Sequence, residues 1–134
     1  MVNDLEKAKD LWTNNLGFKL HIKAKEESPY IDELLAIKDP RLTTVKIIDS
    51  NGFIIELLKF ENYKVENSWS GDLKTTGLTH IALTVDNLDQ LLERLQKQNY
   101  QILSDIKISP NKKVKVVFVK GPEAIMLELV QELN

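Results

Sequence analysis

Two stretches of this 134-residue chain carry the same succession of patterns: helix, strand, strand, hairpin, strand. A repeat of this length marks a duplicated supersecondary unit rather than a solenoid. Asn3-Asp4-Leu5-Glu6 answers Asp86-Asn87-Leu88-Asp89, and Ile54-Ile55-Glu56-Leu57-Leu58 answers Met126-Leu127-Glu128-Leu129-Val130. The copies are unequal at their openings. The second begins with a strand, Thr79 to Val85, ahead of its helix cap, whereas only Met1 and Val2 precede the first helix. With Leu5 laid on Leu88, the counterpart of His80 falls before Met1. The pattern therefore predicts an α+β fold in one domain, residues 1–134, built from two βαβββ modules. Module 1 spans about 1–62 and lacks its first strand, the connector is 63–76, and module 2 is about 77–134. Either the natural start lies upstream or another chain fills the slot. Bare strand edges invite pairing, so a homodimer is expected to cover it.

Local signals place the elements. Leu5, Ala8, Leu11 and Trp12 recur at helical spacing, so a helix is expected over Asp4–Asn14 with Asn3 or Asp4 as its cap. Asn15-Leu16-Gly17 stops it, and Phe18, Leu20 and Ile22 then alternate as a strand. Pro29 to Asp39 allows a short helical turn. Strands are expected over Thr43–Ile48 and Phe53–Phe60, joined by the turn sequence Asp49-Ser50-Asn51-Gly52. In the second half a helix runs from a cap at Asp86 or Asn87 to about Gln98, with Leu88, Leu91, Leu92 and Leu95 as its apolar stripe. Strands follow at Gln101–Ile108, Val114–Val119 and Ala124–Gln131, with a turn at Gly121-Pro122-Glu123.

Composition narrows the function classes. A net charge of -2 gives no electrostatic footprint for nucleic acid or an anionic membrane. No cysteine is present, so disulfides and thiolate metal sites are excluded, and any metal must be held by His, Asp, Glu or backbone oxygen. Met1 to Lys9 is polar and mixed in charge, unlike a signal peptide, and no apolar run suits a membrane span. A cytoplasmic location is expected. Nucleophile-elbow, P-loop, dinucleotide and HExxH patterns are missing, and two histidines with scattered serines argue against a serine triad.

Three residues remain as candidates for chemistry. Glu56 and Glu128 interrupt apolar strands at matched places in the two copies, and a carboxylate among apolar neighbours is costly unless partnered. His80 shares a strand face with the small residues Ala82 and Thr84, which would leave a hollow above it. Neutral imidazole with carboxylates suits a divalent ion such as Zn, Ni, Co, Mn or Fe, and three protein ligands with open positions is a catalytic arrangement. The expected metal set is His80, Glu56 and Glu128. Each also has a plainer reading, as a hydrogen-bonded strand histidine and as glutamates on solvated edges. His21 alternates with lysines and is expected to be exposed, the leucine stripes are core, Lys112-Lys113 is a solvated turn, and Trp69 in the connector is expected to pack.

Asn3-Asp4-Leu5-Glu6-Lys7-Ala8 followed by Asn15-Leu16-Gly17-Phe18 resembles the opening helix and turn of the vicinal-oxygen-chelate (glyoxalase, bleomycin resistance, dioxygenase) superfamily. Gly77-Leu78-Thr79-His80-Ile81-Ala82-Leu83-Thr84-Val85-Asp86 looks like the start of its second module, and Met126 to Gln131 like its last strand. The resemblance implies curved mixed sheets around a cavity, with His80 beside Glu128 and Glu56 across from them at ligand positions. It implies a metal-dependent isomerase, epimerase or lyase acting on a small oxygenated metabolite. There a chelated enediolate forms as Glu128 or Glu56 moves a proton. The alternative it leaves is a metal-free, resistance-type binding protein of the same fold. Ring-cleaving dioxygenases, with more chain and more histidine, fit less well. Glu56-Leu57-Leu58-Lys59 departs from the run that glyoxalase I uses beside glutathione, and methylmalonyl-CoA epimerase carries Gln where Glu56 stands.

Overall fold

The apolar stripes and the alternating strands find one another within each half of the chain. The computed structural model describes residues 1–64 and 72–133 and divides into two compact units, Met1–Asn67 and Ser68–Asn134. Each unit packs helix against sheet, giving the expected α+β class.

In the first unit helix α1, Leu5–Asp10, starts at Asp4, whose carboxylate accepts the Lys7 N–H at 2.9 Å. The expected helix through Asn14 gives way at Leu11 to a π-turn, Leu11–Asn15. The wider turn carries Leu11, Trp12 and Asn15 inward together. Phe18 meets Trp12 edge-on, with ring centroids 5.3 Å apart. Between them Gly17 holds φ at +78°, a reversal that a side chain would resist. Strands β1 (Lys19–Glu26), β2 (Leu42–Ile48) and β3 (Ile54–Phe60) form an antiparallel sheet in that order, with the short helix α2 (Tyr30–Leu35) between β1 and β2. The β2–β3 turn is tied by Asp49, whose Oδ1 accepts the N–H groups of Asn51 and Phe53 at 2.9 and 2.7 Å. Leu5, Ala8, Leu11 and Trp12 are buried together with Val45, Ile47 and Leu57.

The second unit comprises β4 (Ile81–Thr84), α3 (Leu88–Lys97), β5 (Gln101–Ile102), β6 (Lys107–Ile108), β7 (Val114–Lys120) and β8 (Met126–Glu132). Its sheet runs β4-β8-β7-β5, with β6 also on β7, and β4 is parallel to β8. Asn87 caps α3 through the Gln90 N–H at 3.0 Å. The buried stripe Leu88, Leu91, Leu92 and Leu95 shares the core with Val117, Val119, Leu127 and Leu129. Two strands depart from expectation. The run Gln101–Ile108 breaks into β5 and β6 at the bend of Ser104 and Asp105. The run Thr79–Val85 narrows to four residues, because pairing begins only where β8 offers Leu127 opposite Ile81. His80 therefore stands just ahead of β4. The turn at Gly121-Pro122-Glu123 is a 3-10 turn, Pro122–Ala124.

The duplication is visible in backbone detail. β2 and β3 map onto β7 and β8 with one constant offset of 72 positions, Leu42 to Val114 and Ile54 to Met126. The Val85 N–H donates to Val130 at 2.8 Å, and the Val2 N–H donates to Leu58 at the same distance. That rung stands where β4 would stand in the second unit. Trp69 lies outside the described residues, and no helix among them is long and apolar enough to cross a membrane.

Lys115 on β7 donates to Asp89 on α3 at 2.7 Å. This hydrogen bond holds the Asp89 carboxyl below its usual range, with the charge of the same ammonium adding to it. A depressed folded-state pKa stabilises the fold above the unfolded value of ~3.9, and that contribution is lost as pH falls through the lower folded value. Lys115→Met should return the Asp89 midpoint, followed by carboxyl NMR, towards the ordinary value. A midpoint that stays low would mean that another group depresses it.

Candidate functional site

Register decides what surrounds each glutamate. On β8, Glu128 lies opposite Ala82 of β4 and Phe118 of β7, so the three form one row across the sheet. Side chains alternate along β8, and Leu127 and Leu129 point into the core, so Glu128 takes the face away from it. His80 Nε2 reaches Glu128 Oε2 at 3.3 Å, and both side chains are half-buried. The ring of Phe118 meets the imidazole edge-on, with centroids 5.4 Å apart. Thr79 Oγ1 lies 2.9 Å from His80 Nδ1. In the neutral tautomer with its proton on Nε2, Nδ1 accepts the Thr79 hydroxyl and the Nε2–H lies on the side of the ring nearest Glu128. Ala82 and Thr84 are exposed beside the pair, which leaves it open to a ligand.

Glu56 in the first unit has a different companion. Lys46 on β2 is its cross-strand neighbour, and Lys46 Nζ reaches Glu56 Oε1 at 3.3 Å. Ile22 on β1 completes the row and is exposed, as is Ile54 two places before Glu56. The carboxylate is thus balanced by an ammonium on a face that is otherwise partly apolar.

The donor chemistry can be tested against a divalent ion. His80 and Glu128 supply two donors within one unit, while the Glu56 carboxylate is engaged by Lys46. Among the described residues no cluster of three or more His, Cys, Asp or Glu is arranged to hold a metal. A catalytic ion ordinarily has three protein ligands. Within the second unit His80 and Glu128 supply two of these.

Reading the sequence alone singled out the two glutamates and His80 but missed Lys46, Phe118 and Thr79. A signal for the first two existed. The turn at Asp49–Gly52 fixes the β2–β3 register and sets Lys46 opposite Glu56, and the repeat then sets Phe118 opposite Glu128. His21 is exposed at a register shift between Leu20 and Ile22.

A double-mutant cycle on Lys46→Ala and Glu56→Gln should give a coupling of about 0.2–1 kcal/mol in urea unfolding, since both side chains are about two-fifths exposed. Coupling well above that range would show a pair removed from water.

The family model described as Glyoxalase/Bleomycin resistance protein/Dioxygenase superfamily matches residues 1–118. A glyoxalase family protein from Bacillus cereus superposes with a TM-score of 0.89 at 19% identity, over 99% of this chain and 89% of that one. A glyoxylase/bleomycin resistance protein/dioxygenase domain from Frankia gives 0.72 at 18%, over 99% and 87%. Glyoxalase I from Zea mays gives 0.68 at 18%, and this chain spans only 42% of it. No curated protein matches the sequence. At these identities the structural likeness speaks for the fold.

Proposed function

Because this chain belongs to the Glyoxalase/Bleomycin resistance protein/Dioxygenase superfamily, we propose that it binds a small oxygenated molecule at the His80–Glu128 pair. The observation that carries this reading is the 3.3 Å contact between the two side chains on an open, half-buried face walled by Phe118. Together they present a donor, an acceptor and an aromatic edge to one ligand, the usual make-up of a small-molecule site. The Lys46–Glu56 pair supports a metal-free, resistance-type role, since an ammonium beside that carboxylate competes with a cation.

One distance favours a second reading, a metal-dependent isomerase, epimerase or lyase. Two donors bound to a single tetrahedral ion at ~2.0–2.1 Å stand roughly 3.4 Å apart, and His80 and Glu128 are 3.3 Å apart. Elemental analysis of the purified chain, with and without added zinc or nickel, separates the two. Under the first reading metal stays substoichiometric. 2-Hydroxy- and 2-oxo-carboxylates then shift amide signals around His80 and Glu128 saturably, and His80→Ala weakens this at least tenfold, about 1.4 kcal/mol. Stoichiometric metal that His80→Ala abolishes would replace the first reading with the second. If the carboxylates shift nothing near His80, the binding reading falls.

The outer edge of β3, beside which only the Val2 rung is formed among the described residues, supports association of two copies. Sedimentation should then give twice the 15.4 kDa of one chain. A monomer at micromolar concentration would dismiss this assembly.

A further inference from the structure

The face of the first sheet opposite Glu56 holds a recess of about 350 Å3 beside α1. Its floor is one cross-strand row: Lys25 on β1 lies opposite Thr43 on β2, which lies opposite Lys59 on β3. Lys23 and Glu61 line it as well, and Leu5 and Glu6 of α1 form its wall. Thr43 is buried and donates its hydroxyl to Glu61 Oε1 at 2.5 Å. That hydrogen bond, joined by the charges of Lys59, Lys25 and Lys23, holds the Glu61 carboxyl below its ordinary range, so it is ionised at neutral pH.

The charges do not cancel. Glu6 is paired with Lys9 and is also 3.6 Å from Lys23. With Glu6 set against Lys9, three ammonium groups (Lys23, Lys25 and Lys59) face the single carboxylate of Glu61, a surplus of two positive charges. Among the described residues neither Lys25 nor Lys59 has an ion-pair partner within 4 Å.

The second copy of the unit shows what this corner looks like when it serves structure alone. Lys115 stands at the position of Thr43, Asp89 at that of Glu6, and Gln131 at that of Lys59. Lys115 reaches across to Asp89 at 2.7 Å, and the Gln131 side-chain carbonyl accepts the Leu88 N–H at 2.9 Å. Polar groups there are spent on one another. In the first copy a threonine is too short to reach the helix, and the corner stays open between Lys25 and Lys59.

We propose that this recess binds a small dianion, the head of a phosphate monoester or of a dicarboxylate, between Lys25 and Lys59. Two ammonium groups flanking one anion give charge-assisted hydrogen bonds, the stronger class of such contacts. A dianion matches the surplus, and Leu5 offers an apolar wall to whatever carries it. Glu61 opposes the ligand while its bond to Thr43 keeps it in place, which gives the site a signed test.

Inorganic phosphate and succinate, titrated separately into the full chain at fixed ionic strength, should shift the amides of Lys25, Thr43, Lys59 and Glu61 saturably, with acetate as the monovalent control. Saturation by phosphate alone identifies the phosphate class and by succinate alone the dicarboxylate class, and either upholds the site. Lys25→Gln and Lys59→Gln should each weaken binding about tenfold, Glu61→Gln should tighten it, and Lys19→Gln, on the same strand but outside the recess, should change nothing. Circular dichroism checks that each variant is folded. Linear shifts matched by acetate, binding that survives the Lys25/Lys59 double substitution, or weakening by Glu61→Gln would each overturn the proposal.

Discussion

In the second unit β8 is hydrogen-bonded on both sides, parallel to β4 and antiparallel to β7, and this double pairing fixes the candidate site. Backbone groups in a buried strand must find partners. Once β8 has satisfied its own between two neighbours, its register is set and Glu128 can lie only between Ala82 and Phe118. The same pairing sets where β4 begins, which leaves His80 at the strand's entrance, free enough to turn its ring onto Glu128. The core below follows from the same register, since Leu127 and Leu129 must then point at the stripe of α3. A one-residue slip would bury Glu128 among leucines and expose those leucines to water.

Much of this was legible in the sequence because it depends on periodicity. The leucine stripe of α3, the tied turn at Asp49–Gly52 and the matched glutamates all follow from spacing. The features that escaped depend on tertiary neighbours. The π-turn at Leu11–Asn15 answers the packing of Trp12 against Phe18, which no helical repeat encodes. The break between β5 and β6 is a local bend at Ser104 and Asp105 within a run that reads as continuous. For the site, a lone carboxylate in an apolar strand says that a partner is needed without saying which. Glu56 found an ammonium and Glu128 found an imidazole, and only the register tells them apart.

The duplicated units also show how one scaffold can be put to two uses. Equivalent positions carry Lys46 and Phe118 on one face of the sheets, and Thr43 and Lys115 on the other. The first pair gives one glutamate a charge and the other an aromatic neighbour. The second pair leaves one helix–sheet corner open and closes the other with an ion pair. Neither exchange disturbs the buried positions, which keep Val45 and Ile47 in register with Val117 and Val119. Positions on both faces have therefore diverged, the buried Thr43 among them, while the aliphatic cores stayed alike.

The rung from Val2 to Leu58 has a practical bearing on handling the protein. It delivers the amino end of the chain alongside β3, the strand that bears Glu56. An affinity handle joined ahead of Met1 would emerge beside the outer edge of β3 and lay foreign residues along that strand. The amino end is therefore the wrong place for a handle when the face around Glu56 is under study.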